Sequence, residues 1–156
     1  MDKIEKHRYF FLPETNSTDF KYSNNKIEKF ASDLLNQILD NCETSDLCYI
    51  SGPATGIENY KERFKDVYDY MEENFGDLGY CFINPMEHID KFPEEATYVD
   101  KVIFTNQLLS KCNYLVLDDR DDNWKNSKGV LSELSFASGD GYITLISFRQ
   151  LSQGRN

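Results

Sequence analysis

From Leu47 onward, short apolar runs of strand length alternate with longer amphipathic runs of helix length, and this alternation restricts the fold more than any other feature of the chain. Strands joined through helices pair in parallel by right-handed crossovers, so the expected architecture is α/β, a doubly wound parallel sheet of four to five strands with helices on both faces. Residues 47–51, 80–83, 114–117 and 142–147 read as the strands. Helical spacing is clear at Ile27, Phe30, Ala31, Leu34, Leu35, Ile38 and Leu39, and again at Tyr60, Phe64, Val67, Tyr68 and Met71. A third helix is predicted over about 96–110, with Val99, Val102, Ile103, Asn106, Leu108 and Leu109 inward or flanking. A fourth carries Val130, Leu131, Leu134 and Ala137. Residues 86–95, which hold His88, read as a loop. Arg8 to Leu12 reads as a further short strand stopped by Pro13. The resulting division is a strand-helix appendage over 1–45 packed on the core, a main domain over 46–150 and a tail over 151–156. The pattern alone does not fix the strand order.

Composition narrows the function. With 156 residues, 40% of them hydrophobic and 14% aromatic, the chain can bury a proper core as one globule. A net charge of -10 argues against binding a nucleic acid polymer, because that mode needs a basic surface to release counterions. A single phosphate is a different matter, since a helix N-terminus and one or two donors suffice. Cys42, Cys48, Cys81 and Cys112 form no CxxC pair and no secretory signal precedes them, so reduced thiols and a cytoplasmic location are expected. No apolar run approaches the roughly 20 residues that span a membrane.

The motif search removes several chemistries. Gly52 and Gly56 follow a strand but lack the dinucleotide spacing, and no Gly-Lys-Ser/Thr element supports a phosphate loop. His7 and His88 stand alone, which disfavours a histidine metal site and leaves both as surface residues. Asp118, Asp119, Asp121 and Asp122 lack the calcium-loop spacing and read most simply as a solvated acidic loop. No cofactor is implied. Serines without a partnered histidine give no hydrolytic triad. Attention then falls on the strand-loop-helix unit from Asn113 to Ala137. Ligands in open parallel sheets sit outside the carboxyl ends of the strands, where the loop from Asp118 to Ser127 would line a site. Glu133 lies inside the following helix and is either a solvated surface residue or a positioned reagent. Tyr49, Gly52, Ser127 and Glu133, at adjacent strand ends, suit sugar chemistry in which a carboxylate meets an oxocarbenium-like anomeric carbon.

At these residues the chain resembles the nucleoside 2-deoxyribosyltransferase superfamily, which includes the 2'-deoxynucleoside 5'-monophosphate N-glycosidases and short phage and bacterial relatives. Tyr49-Ile-Ser-Gly-Pro-Ala-Thr-Gly56 looks like the first strand and turn, and Asn84-Pro85 like the end of the second strand. Trp124-x-x-Ser127-x-Gly129-x-x-x-Glu133-x-x-x-Ala137 looks like the catalytic strand-loop-helix. The resemblance covers Leu47 to about Phe148. It implies a flavodoxin-like sheet, often of order 2-1-3-4-5, and a homodimer or higher homo-oligomer whose sites borrow residues from a neighbouring subunit.

By position, the resemblance makes Glu133 the nucleophile that forms a glycosyl ester, with Tyr49 holding its carboxylate. Ser51, Gly52, Pro53, Asn84, Trp124, Ser127 and Gly129 become substrate-binding candidates. A neutral Ser127 tolerates a 5'-phosphate where a carboxylate would repel it, which tilts the small-molecule partner from nucleoside toward nucleotide. One position departs from the family pattern: the aspartate that helps protonate the leaving base is replaced by Thr105, with Asn106 beside it. Asp100 sits about 140° further around the helix and does not substitute directly. Asp118 or Asp119 is the candidate acid instead. Two functions therefore stand as expectations: cleavage or transfer of an N-glycosidic bond, and binding of a nucleotide or nucleotide-derived signal without turnover.

Overall fold

A computed structural model of the protein describes residues 21–140 and 143–153. In chain order the elements are α1 (Asn25–Asn41), β1 (Leu47–Ser51), α2 (Tyr60–Phe75), β2 (Cys81–Ile83), α3 (Pro85–Ile89), α4 (Tyr98–Ser110), β3 (Tyr114–Leu117), α5 (Lys128–Asp140), β4 (Thr144–Ser147) and α6 (Phe148–Gln153). The strands form one sheet in the order β2-β1-β3-β4, and every neighbouring pair is parallel. This is the expected α/β, doubly wound, flavodoxin-like arrangement, with four strands described.

Alternation along the strands sorts the core into two layers. Leu47, Tyr49, Ile83, Leu115 and Leu117 face α1, α4 and α5, whereas Cys48, Ile50, Phe82 and Val116 face α2 and α6. Burial of each large side chain contributes roughly 1.5–3 kcal/mol, so both layers are needed to hold the central strands. The helices form where the spacing places them. Asn24 caps α1 by accepting from the Ile27 amide at 2.9 Å, and Ile27, Ala31, Leu34 and Ile38 turn inward. An edge-to-face stack runs from Phe30 through Phe92 to Phe104, with ring centroids 5.0 and 5.1 Å apart, and joins α1 to α4.

Four features differ from the expectation. Residues 85–89 form α3 rather than loop, because Asn84 accepts from the Met86 amide and Pro85 supplies a preset first helical residue. The tail beginning at 151 lies partly within α6, whose first turn is capped by Asp119 accepting from the Arg149 amide at 2.8 Å. In α4 the buried face is rotated: Asp100, Phe104, Thr105, Leu108 and Leu109 are inside, while Val99 is 39% exposed. The cause is a capping box in which Thr97 and Asp100 satisfy each other's amides, combined with donation to Asp100 from the Ser23 amide at 2.7 Å and hydroxyl at 2.6 Å. Finally, Cys42 and Cys81 form a disulfide, and only Cys48 and Cys112 are free buried thiols. The extended C-cap of α1 brings Cys42 beside the first residue of edge strand β2, a pairing that lies 39 residues apart in sequence and leaves no local motif. The expected strand at Arg8 to Leu12 and His7 lie outside the described residues.

Two outcomes follow. Thiol titration of the denatured, unreduced protein should count two reactive cysteines, rising to four after reduction; four before reduction would contradict the disulfide. Asp100→Ala should lower stability by about 2–4 kcal/mol in urea unfolding, because it orphans the amide of Thr97 and both donors of Ser23.

Candidate functional site

β1 delivers two hydroxyls to one place. Tyr49 and Ser51 are two residues apart and so share a face, and both are essentially inaccessible, at 0% and 1%. Above them runs α5, where Val130, Leu134 and Ala137 are fully buried. Glu133 lies three residues after Val130 and four before Ala137, and is therefore on the buried stripe of α5 rather than its solvent side. Its Oε2 accepts from the Tyr49 hydroxyl in a short hydrogen bond. Its Oε1 accepts from the Ser51 hydroxyl at 2.8 Å.

Burial penalises the ionised carboxyl of Glu133, while the bonds from Tyr49 and Ser51 favour it; burial prevails, and the pKa rises to about 7. The Glu133 residue as a whole is half-buried. Tyr49 is driven well above the usual phenol range, first by burial and then by the Glu133 charge. Thr105, 8% exposed on α4, donates its hydroxyl to the Val102 carbonyl at 3.1 Å.

The turn after β1 is built for close approach. A Cβ on Gly52 would lie 3.3 Å from the Asp118 Cβ and 3.4 Å from the Phe64 ring, so a side chain there would push β1 and β3 apart. Gly56 adopts φ 79°, the left-handed conformation that closes the turn. Pro53 is buried beside it.

Asp118 and Asp119 stand at the end of β3 with their oxygens engaged. Asp118, 2% exposed, accepts from Arg63 at 3.1 and 3.2 Å and from Arg120 at 2.8 and 2.9 Å. Asp119 accepts from the Ser147 hydroxyl and the Arg149 amide. The acidic loop is thus knitted by guanidinium groups rather than simply solvated, and Asp121 also takes Arg63 at 2.6 Å. Ser127 caps α5, with its hydroxyl accepting from the Val130 amide at 3.3 Å. Trp124 is half-buried against the core layer that contains Tyr49, and a Cβ on Gly129 would meet only the Ser127 hydroxyl, at 3.9 Å. Asn84 is 5% exposed and is occupied in capping α3.

The structure therefore gathers Tyr49, Ser51 and Glu133 into direct contact, sets Gly52 and Asp118 against each other, and places Asn84 just after edge strand β2, as the cap of α3. The pairing of Arg63 with Asp118 was not foreseen from the sequence. It joins residues 55 positions apart, and the only available sign was an arginine on α2. His88 is half-buried rather than a surface residue; burial and nearby Lys91 lower its pKa to about 4, so its ring is neutral at ordinary pH. Among the described residues no group of three His, Cys, Asp or Glu converges to hold a metal ion, and no helix is long and apolar enough to cross a membrane.

The surface formed by the described residues includes clefts away from Glu133. One of about 350 Å³ lies between α1 and α4 at Tyr22, Gln107 and Lys111. A smaller one of about 130 Å³ lies between α2 and α3 at Lys61, Lys65 and Asn84. Glu133 lines neither.

The chain matches a family model described as Domain of unknown function (DUF4406), over residues 47–144. No curated protein and no solved structure matches.

The raised pKa of Glu133 has a cost that can be measured. Folding moves this carboxyl up from its usual 4.5, so the folded state binds the extra proton and loses stability as pH rises between those two values. At 1.36 kcal/mol per unit the cost above pH 8 is on the order of 3 kcal/mol. Glu133→Gln should therefore be more stable than wild type at pH 8, with the advantage vanishing near pH 4. Parallel urea titrations at the two pH values measure it, and a pH-independent difference would contradict the assignment.

Proposed function

We propose, for a chain that belongs to the DUF4406 family of unknown function, that its site cleaves or transfers the N-glycosidic bond of a 2'-deoxynucleotide or nucleoside, with Glu133 as the nucleophile. The observation that carries this reading is the carboxylate of Glu133, held from β1 by Tyr49 and Ser51 and pushed by burial to a pKa of about 7. A carboxyl so perturbed by desolvation is more characteristic of a working site than of a structural ion pair.

The chemistry divides into two displacements. One Glu133 oxygen bonds to the anomeric carbon as the bond from that carbon to the base nitrogen breaks, and the electron pair leaves with the base, which takes up a proton. Water or a second base then attacks the same carbon, and the ester breaks to restore the carboxylate. Tyr49 and Ser51 fix the plane of the carboxyl group, so that its rotational freedom is already lost before substrate arrives. Partial dehydration keeps the carboxylate reactive near neutral pH. The neutral Ser127 at the start of α5 supports a substrate with a 5'-phosphate, since a helix N-terminus favours an anion. In this reading a second copy of the chain contributes residues to the site, as the resemblance to the deoxyribosyltransferases implies.

A second reading, binding of a nucleotide or nucleotide-derived signal without turnover, is favoured by one specific observation. The oxygens of Asp118 and Asp119 are committed to Arg63, Arg120, Ser147 and Arg149, and Thr105 stands where the resemblance calls for an acid. Neither aspartate is then free to protonate a leaving base, a contribution typically worth 10²- to 10⁴-fold.

Chromatography of the purified protein with the four deoxynucleoside monophosphates and their nucleosides separates the two. Release of free base by wild type, reduced more than about 10³-fold in a folded Glu133→Ala variant, is the expected result. The kcat/KM should rise with pH through about 7, as Glu133 loses its proton. No base from any substrate, together with a rise in melting temperature on nucleotide addition, would replace the enzyme with the binder.

A further inference from the structure

The edge of the sheet away from Glu133 is closed by a covalent bond that the chemistry above does not use. Cys42, the C-cap of α1, is joined to Cys81, the first residue of β2, with Cα atoms 5.8 Å apart. β2 is three residues long and lies at the end of the sheet order, where its ladder partner is β1. Its leading end is otherwise tied by the Cys81 amide, which donates to the Asp46 carbonyl at 2.9 Å. Its far end sets Ile83 opposite Tyr49 and runs directly into Asn84, the cap of α3. So short an edge strand opens readily unless something outside the sheet holds it.

α1 is that outside support, and it is anchored without the disulfide. It buries Ile27, Ala31, Leu34 and Ile38, carries Phe30 into the ring stack with Phe92 and Phe104, and is preceded by Ser23 bonded to Asp100. Breaking the disulfide therefore leaves α1 docked and removes a fixed post from β2. We infer that the bond between Cys42 and Cys81 is a reversible redox latch on the unit formed by β2 and α3: oxidised, it holds residues 81–89 closed against β1, and reduced, it lets that unit open locally while the rest of the fold persists.

The surroundings confine exchange to this pair. Cys42 and Cys81 are each half-buried, with exposed Glu43 following the first and exposed Leu78 and Gly79 shortly before the second, so a small reagent reaches the sulfurs. Cys48 and Cys112 are buried, and burial pushes both thiols upward, that of Cys112 to about 12, so neither supplies a thiolate to compete. The reductant that fits is a dithiol. One of its sulfurs, as thiolate, bonds to one cysteine sulfur while the disulfide breaks, and the electron pair leaves on the other cysteine sulfur, which takes up a proton. The second sulfur of the reductant then attacks the mixed disulfide and closes its own ring, so two electrons and two protons pass to the protein and the dithiol becomes a disulfide. A monothiol is less effective, because the released cysteine stays beside the mixed disulfide and reverses it.

This inference goes beyond the glycosidase reading, and its test needs no substrate. Hydrogen exchange read by mass spectrometry is run on the full chain as oxidised, as reduced by dithiothreitol without denaturant, and after reoxidation. Reduction should speed exchange of the amides in residues 81–89 by about tenfold or more, leave α1 and β3 within about twofold of their oxidised rates, and reverse on reoxidation. The double variant Cys42→Ser, Cys81→Ser should show the reduced pattern from the start and ignore dithiothreitol; if it does not fold, the reduced wild type carries the same expectation. Exchange unchanged by complete reduction, a disulfide that yields only in denaturant, or loss of protection in α1 and β3 together with β2 would each overturn the latch and leave the bond a passive staple.

Discussion

Two parallel strands brought side by side must end at the same edge, and the pairing of β1 with β3 sets that edge for this protein. The register places Ser51 opposite Leu117, and the Asp118 amide continues the ladder by donating to the Ser51 carbonyl at 2.8 Å. The chain leaves both strands at one level, which brings Gly52 close to Asp118 and Phe64, so that a Cβ there would be tightly crowded. The same geometry forces the Asp118 carboxylate into a nearly closed position. An unpaired charge there would be expensive, and the guanidinium groups of Arg63 and Arg120 offset it. Arg63 comes from α2 and Arg120 from the loop after β3, so the clamp also fixes the helix that crosses between β1 and β2.

The other face of the same edge holds the opposite arrangement. Glu133 is buried by α5 with hydroxyl partners but no described cation, and its charge is correspondingly unfavourable. A core of this size gains little from such a residue: leucine at the same place on the stripe would add apolar burial of about 1.5–3 kcal/mol without the desolvation cost. Asp118 is thus paired with two arginines, whereas the described partners of Glu133 are the hydroxyls of Tyr49 and Ser51.

Much of this was legible in the residues. Period-2 and period-3.6 patterns locate β1, α1 and α2 closely because each element has one strongly apolar face. Glu133 could be suspected for a related reason: a charge spaced three from Val130 and four from Ala137 interrupts an otherwise apolar stripe. What the sequence withheld depends on distance along the chain. The Arg63 clamp spans 55 residues, the disulfide 39 and the bond from Ser23 to Asp100 77, and none has a local signature. The rotated face of α4 belongs to the same class. Its apolar residues fit more than one orientation, and the choice is made by Asp100 finding partners in the segment before α1.

That choice gives α1 a structural part although it lies outside the residues matched by the family model. Ser23 fixes Asp100, and the stack of Phe30, Phe92 and Phe104 fixes the next turn of α4. With α4 rotated to bury Val99 and Val102 instead, as the apolar spacing alone suggests, Asp100 would leave Ser23 and Phe104 would leave the stack. A substitution in α1 therefore acts on the orientation of α4, the helix that packs against α5. Such coupling needs no conformational switch, only that each contact fixes the orientation of the next.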